Sequence, residues 1–531
     1  MLGGELSFHF LNVMLMTAIV APLVLWRYRK AVLAGMQSSA GAALPLAPAL
    51  GARPRALDPA APSLDAKLAW ERRVRRRIFV AVVAALLVPV LLLAVNEAIL
   101  NGLELTPANV WLIAGAALLM AVPIVGVLIA LPIGRTIVLG VATLAAFAGL
   151  LVVVSMLQRV VAGEAPTLDQ LRNAFVFVEY AAYTLWLPLV LAALLGARRV
   201  RGVAPFVFAG LFVFAVAPLL GVRVTQALGG MHWSAEWVLA GGIHVGAIVL
   251  ALPVGALAWW RLSALARGYD AKRFSDAQLL ANSWWLMFVA VHAVEQVAVH
   301  PETEAMLRIA LVDTVVYLLF PFLLAHALAR VDQGLARPPK RMLLVLRVFG
   351  DRARTGALFA RIASRWQRFG PVTTIAAPDA AADTVDPGDL LRFATGRIGE
   401  SFVTSKDDLV QRLATMDVEP DRDGRFRIDE FCCRDDTWQA TVVALIARAD
   451  AIVMDLRGFG AARRGAEFEL AQLATRAAPE RVVLVVDAST DRALVANAIA
   501  GAKAPMTVVE VRRGNARQAD AAFAALLAAA G

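Results

Sequence analysis

The residues best suited to chemistry fall in one run, DLRGFGAARRGAEFEL, at positions 455–470. Gly458, Gly460 and Gly465 permit a tight turn, and Arg457, Arg463 and Arg464 supply positive charge. A helix opening near Gly465 adds free backbone amides, so this run could cradle a phosphate; a tight solvated turn would use the same residues. It is not a dinucleotide fingerprint, because GxGxxG would require glycine at 463, where Arg463 stands. Glu467 and Glu469 are two apart, so they face different directions on a helix and at most one enters a pocket. Gly350, Asp351, Arg352, Asp455 and Asp487 complete this group of candidates, because each closes an apolar run.

Two other constellations carry ionisable groups. His292 and Glu295 are three apart and share a helix face, where they could ligate a divalent metal, relay a proton or form a polar patch between helices. With Glu179, His244 and Asp313 they interrupt otherwise apolar runs, which is costly and therefore informative. No HExxH occurs, which argues against an intramembrane zinc protease. Asp421, Asp423, Gly424 and Glu430 occupy the third, fifth, sixth and twelfth places of a calcium loop, but Glu419 and Pro420 fill the first two. That segment reads as a turn at Asp423-Gly424 leading into an alternating strand, RFRIDEF. No metal is expected.

The elements that must position the first group alternate. Apolar runs at 342–349, 372–376, 451–456, 481–487 and 506–511 read as strands, and amphipathic stretches at 353–368, 435–449, 465–477, 490–501 and 516–529 read as helices. Such alternation predicts an α/β domain over 340–531 with a parallel sheet covered on both faces. Five strands suit a flavodoxin-like order, with 377–434 inserted between the second and third. Ligands of such sheets sit beyond the carboxyl ends of the strands, which is where Gly350-Asp351-Arg352, the 455–460 loop and Asp487 fall. With no apolar span of its own, this domain is expected to fold unaided.

The strand-to-helix run AIVMDLRGFGAARRGAEFEL resembles the segment of TIR domains and of nucleoside deoxyribosyltransferase-like proteins in which a helix carries a glutamate in an "EL" pair, here Glu469-Leu470. The opening LRVFGDRARTGALFARIASRW is also similar to the first strand and helix of TIR domains, with Asp351 just past the strand. The resemblance covers roughly 342–530, with Gly465-Ala466 where the family has Trp-Cys. It implies that Glu469 acts at the C1′ carbon of a bound ribosyl group, that the ligand is NAD or a related nucleotide, and that Asp351 and Asp455 orient a ribose hydroxyl; as residues that follow strands, the two aspartates also suit helix caps.

The rest of the chain is apolar. Hydrophobic residues make up 59% of the 531 positions, above the roughly 45–50% usual for soluble domains. Nine runs of membrane-spanning length are expected, at 7–26, 78–100, 109–132, 136–158, 174–196, 203–221, 238–258, 281–300 and 305–329, in a domain covering 1–335. An Ala/Pro-rich stretch, 34–66, reads as a flexible loop. The net charge of +10 does not point to nucleic acid, because Arg72, Arg73, Arg75, Arg76, Arg77, Arg135, Arg198, Arg267, Arg330 and Lys340 all fall in alternate loops between spans. The intervening loops carry Glu104, Glu164, Asp169, Glu236 and Glu302. Arginine and lysine stay inside, so the expected partner is the bilayer of the inner membrane, with the N-terminus outside and the 340–531 domain in the cytoplasm. That domain is also the candidate surface for a homo-oligomer. Adjacent Cys432 and Cys433 suit a reducing compartment.

These features predict a membrane protein with a cytoplasmic, TIR-like, nucleotide-binding signalling or effector domain, for which the resemblance implies NAD or nucleotide glycosyl-bond hydrolysis. The alternatives are a non-catalytic scaffold with a degenerate pocket, and a transporter with a regulatory domain whose polar path would join Glu179, His244, Glu295 and Asp313.

Overall fold

Runs of Val, Ile and Leu bounded by turn residues form strands buried on both faces, and long uninterrupted apolar runs form helices. The computed structural model describes residues 22–37, 62–129, 133–161, 163, 263–300, 302–347, 352–376, 387–512 and 516–530. The chain divides into two compact units, one of residues 1–22 and 76–331 and the other of 23–75 and 332–531.

In the first unit the apolar runs form α1 (Leu64–Leu100, which begins in the other unit), α2 (Pro107–Leu128), α3 (Ile133–Val161), α4 (Asp276–Val299) and α5 (Thr303–Leu328). These correspond to the expected spans at 78–100, 109–132, 136–158, 281–300 and 305–329. Spans expected at 174–196, 203–221 and 238–258, and nearly all of 7–26, lie outside the described residues, as does 38–61 of the expected loop. The count of nine is corrected: among the described residues two helices, α1 and α5, are long and apolar enough to cross a membrane. An apolar run marks a helix without deciding whether that helix crosses a bilayer or packs inside a protein. In α4 the run is broken by Gln278, Asn282, His292 and Gln296.

The outer face of α5 carries Leu307, Leu311, Val315, Leu318 and Phe322, with Leu307 68% exposed, while Ile309, Asp313, Val316, Phe320 and Leu324 on its other face are buried. Phe79, Val80, Val83, Leu87 and Val88 are likewise exposed on α1. Contiguous apolar surface of this kind suits lipid, and the chain is membrane-associated.

The second unit is built on seven parallel strands: β1 (Leu343–Arg347), β2 (Val372–Ala376), β3 (Phe402–Val403), β4 (Ile428–Cys433), β5 (Ala451–Asp455), β6 (Val482–Val486) and β7 (Thr507–Glu510), in the order β3-β4-β2-β1-β5-β6-β7. The expected count of five is therefore corrected to seven. The region expected as an insertion supplies β3 and β4, and β4 adds to the β2 edge with Val372 opposite Ile428. The alternating strand expected in RFRIDEF is thus a member of this sheet rather than part of a separate insertion. Asp429 accepts from Arg412 Nη2 at 3.2 Å, and the same nitrogen donates to the Glu430 carbonyl at 3.0 Å, so a charged segment becomes a strand. The other five strands run β2-β1-β5-β6-β7, a flavodoxin-like order whose direction of growth reverses between β1 and β5.

One sheet face packs Leu344, Leu346, Ile452, Met454 and Leu484 under α8 (Lys406–Ala414), α9 (Trp438–Arg448) and α10 (Arg464–Arg476), with Leu470 and Leu473 fully buried. The other lies under α6 (Arg352–Trp366) and α12 (Ala516–Ala529), where Trp366, Phe369 and Phe523 form an aromatic cluster. Two shorter helices, α7 (Pro387–Ala394) and α11 (Arg492–Ala498), complete the set. Gly370 is required beside β1, because a Cβ there would overlap the Arg341 backbone carbonyl.

Residues 23–75 belong to this unit. Trp70 lies 5.5 Å from the Phe369 ring, Lys67 Nζ donates to the Leu527 carbonyl at 3.0 Å, and Glu71 accepts from Arg365 at 2.6 and 3.0 Å. Arg365 also reaches Asp520 at 3.1 Å and stacks over Phe523. Tyr28 meets Phe393 edge-on at 5.6 Å. The unit is thus larger than the 340–531 domain read from the sequence.

Candidate functional site

The reversal of strand order leaves a crevice beyond the carboxyl ends of β1 and β5, the general ligand position of open α/β sheets. Strand β5 ends at Asp455, the loop 456–463 follows, and α10 opens at Arg464. Gly458 supplies a backbone φ of +78°, which side-chain-bearing residues rarely adopt. The loop is stitched to its neighbour after β6: Thr490 Oγ1 donates to the Leu456 carbonyl at 2.9 Å and Asp491 N to the Phe459 carbonyl at 3.0 Å. Space around Gly460 is open.

The expected residues do not all converge. Asp455 and Arg457 close on each other, with Arg457 Nε and Nη2 donating to the carboxylate at 2.8 and 2.7 Å, and both are buried. Asp487 accepts from Ser489 N at 2.9 Å and Ser489 Oγ at 2.5 Å, a local turn. Arg463 and Arg464 are exposed at the start of α10, whose first residues have no side-chain cap. Gly350 and Asp351 lie outside the described residues; Arg352 opens α6, and its side chain is not among those described.

Glu469 differs from all of these. The helix exposes Glu467 and buries Glu469 to 1% exposure. Its Oε2 has no hydrogen-bond partner among the described residues. Burial pushes its pKa up to about 8, against a smaller downward pull from Arg347. A carboxylic acid poised near neutral pH can give or take a proton, which is what acid–base work requires.

Sequence reasoning missed Arg347, and it weighed Glu430 only as the twelfth place of a calcium loop. Arg347 ends β1, is 7% exposed, and among the described residues its Nε and Nη2 have no hydrogen-bond partners, Nη2 lying 3.7 Å from Glu430 Oε1. Thr373 Oγ1, in the neighbouring strand, is a further buried group without a partner. The available signal for Arg347 was a charge inside an otherwise apolar strand run, MLLVLRVF.

The other constellations resolve differently. In the 419–430 segment the acids meet cations: Glu419 pairs with Lys340 at 2.5 Å, Asp421 with Arg427 at 2.9 Å and Asp423 with Arg425 at 3.6 Å, around a turn with Gly424 at φ +76°. Cys432 and Cys433 are buried free thiols pushed well above the usual range by desolvation, Cys433 to about 11, so neither is a ready nucleophile. His292 lies 3.2 Å from Asp313. Glu179 and His244 are outside the described residues, and the Glu295 side chain is not among those described. Among the described residues no group of three or more His, Cys, Asp or Glu is arranged to hold a metal ion. No family model, curated protein or solved structure matches this chain.

Proposed function

We propose that the α/β unit binds a nucleotide-type ligand beyond the carboxyl ends of β1 and β5, and that Glu469 acts there on the ribosyl bond, as the TIR-like resemblance implies. One observation carries this reading: a fully buried glutamate with an unpartnered oxygen, on the helix that follows the switch-point strand. The free amides at the start of α10, with Arg463 and Arg464, suit the phosphate end of the same ligand. With a pKa of about 8, Glu469 is mostly protonated at neutral pH. A cationic nicotinamide ring beside it would favour the carboxylate. In glycosyl cleavage the nicotinamide leaves with the electron pair of the C1′–N bond. The carboxylate offsets the positive charge on C1′, and water then adds there and releases its proton.

The unit sits, on this proposal, at the cytoplasmic face of the inner membrane as a signalling or effector module. Arg72, Arg73, Arg75, Arg76 and Arg77 at the start of α1, and Arg330, Arg337, Lys340 and Arg341 after α5, support that side. Residues 23–75 and 332–531 share one compact unit, so the chain would leave that side at α1 and return by α5. An externally active reporter inserted at Gly102 should be active and one fused after Gly531 silent.

The chemical test uses the full chain in detergent. Nicotinamide release from NAD should be abolished by Glu469→Gln, which keeps the shape and removes the charge, and wild-type kcat/KM should rise with pH towards about 8. Unchanged turnover in the variant would remove Glu469 from the mechanism. The closed Asp455–Arg457 pair favours a second reading, a nucleotide sensor without turnover, in which binding occurs and Arg463→Ala weakens it by about 1–3 kcal/mol.

A further inference from the structure

A second set of buried ionisable groups lies in the helical unit, where α1 ends, α4 ends and α5 begins. His292 of α4 stands between two acids: its Nδ1 is 3.2 Å from Asp313 Oδ2 of α5, and its Nε2 is 3.7 Å from Glu97 Oε2 of α1. The three side chains form a gradient of access. Glu97 is 31% exposed, His292 10% and Asp313 5%. Among the described residues Asp313 Oδ1, His292 Nε2 and the neighbouring Gln296 Oε1 and Asn96 Nδ2 have no hydrogen-bond partner. Ionisable groups in apolar helices are costly to keep, which makes a function for them the default expectation.

The other charged neighbours are few. Arg308 of α5 donates through Nε to Asn96 Oδ1 at 2.9 Å and so faces α1 beside Glu97. Helix α2, which packs on α4, contains no titratable residue. On α4 itself the remaining ionisable residues are Asp276 and Glu295; Asp276, at the other end of the helix, accepts from Tyr269. His300 follows that helix as its cap.

We propose that Glu97, His292 and Asp313 form a proton relay that carries a proton from the accessible end of the helical unit to Asp313 inside it. An imidazole bridging two carboxylates by opposite ring nitrogens is the arrangement this needs. The neutral ring begins with its proton on Nδ1. Nε2 takes a proton from the Glu97 carboxylic acid, and the Nδ1 proton passes to Asp313 Oδ2. Glu97 ends as a carboxylate, Asp313 as a carboxylic acid, and the ring is neutral again with its proton on Nε2. A rotation of the part-exposed Glu97 side chain closes the 3.7 Å gap, and reversal of the two transfers resets the ring.

The test is nitrogen-15 NMR of the full chain in detergent micelles with labelled histidine. The chain has 6 histidines, and the signal lost in His292→Gln identifies the bridging ring. In wild type both nitrogens of the bridging ring should respond in one step. Asp313→Asn should move the ring's midpoint to more acidic pH by about one unit or more. Glu97→Gln should slow exchange of the ring N–H protons with water by about tenfold, because it removes the accessible proton donor. If Asp313→Asn does not fold, Asp313→Glu, which keeps the acid, should retain the wild-type midpoint. A ring with the midpoint of free histidine, or exchange unaffected by Glu97→Gln, would overturn the relay.

Discussion

Two acids near the carboxyl edge of the same sheet are held in opposite ways. Asp455, at the end of β5, has a bidentate arginine of its own two residues on. Glu469, on the helix that follows, is buried with an unpartnered oxygen and with Arg347 as its nearest compensating charge. A partnered acid is a fixed part of the loop, and its charge is already spent on the fold. An unpartnered one is maintained at a cost that only something outside the folded unit can offset. The difference separates the residue that shapes this edge from the residue that a ligand could use.

Breaking the partnered acid should have the largest effect. Asp455→Ala leaves the Arg457 guanidinium, 3% exposed, without its counter-charge, and removing one member of a buried pair costs about 3–5 kcal/mol. The loss should appear as a lower denaturation midpoint of the α/β unit near neutral pH. A cost below about 1 kcal/mol would mean that Arg457 finds another acceptor.

The unpartnered acid should respond with the opposite sign, by an amount that grows from about pH 4.5 to about pH 8. Its folded pKa of about 8 stands above the ordinary glutamate value of 4.5. Protonated Glu469 therefore stabilises the fold fully below about 4.5, and that contribution is lost as pH rises through about 8. The penalty of ionising it is at most roughly 4–5 kcal/mol by linkage. Glu469→Gln should then raise the denaturation midpoint above wild type near pH 9, with the gap shrinking towards pH 5. A variant that melts lower at every pH would show that the carboxylate is compensated.

A smaller effect sharpens the comparison elsewhere in the unit. Glu71 is partnered like Asp455, but its arginine has a second acceptor in Asp520. Glu71→Gln should cost only about 1–2 kcal/mol, because Arg365 keeps one carboxylate. Adding Asp520→Asn should then cost more than the sum of the single changes, measured as a double-mutant cycle.

Much of the α/β architecture was legible because fully buried parallel strands are written as short unbroken apolar runs, such as VVLVV at 482–486. The strand in RFRIDEF was legible too, but its place in the parallel sheet as β4 was not, because Asp429 and Glu430 break the apolar pattern of a buried strand and are balanced by Arg412 and Arg347 from distant positions. Glu469 could be singled out by its place in the helix and by the resemblance. That Asp455 would be occupied by Arg457 could not, since spacing alone does not tell a ligand contact from an internal pair. The number of membrane crossings was misjudged for a related reason: hydrophobic length reports a helix, and the same residues suit a core or a bilayer. The packing of Trp70 and Glu71, just past the expected loop at 34–66, was not legible because their partners lie hundreds of positions away.

That last feature also constrains the order of synthesis. Trp70 and Glu71 are made early, while Phe369, Arg365 and Leu527, which cover this segment, are made after α5. At about 5–20 residues per second, tens of seconds separate the two halves of this packing. During that interval an indole destined for the core has no partner from the sheet, and closing so long a loop costs entropy that only the finished unit repays. A chain terminated anywhere before Asp332 would keep the early segment and lack Phe369, Arg365 and Leu527, which makes Trp70 a natural mark of unfinished protein.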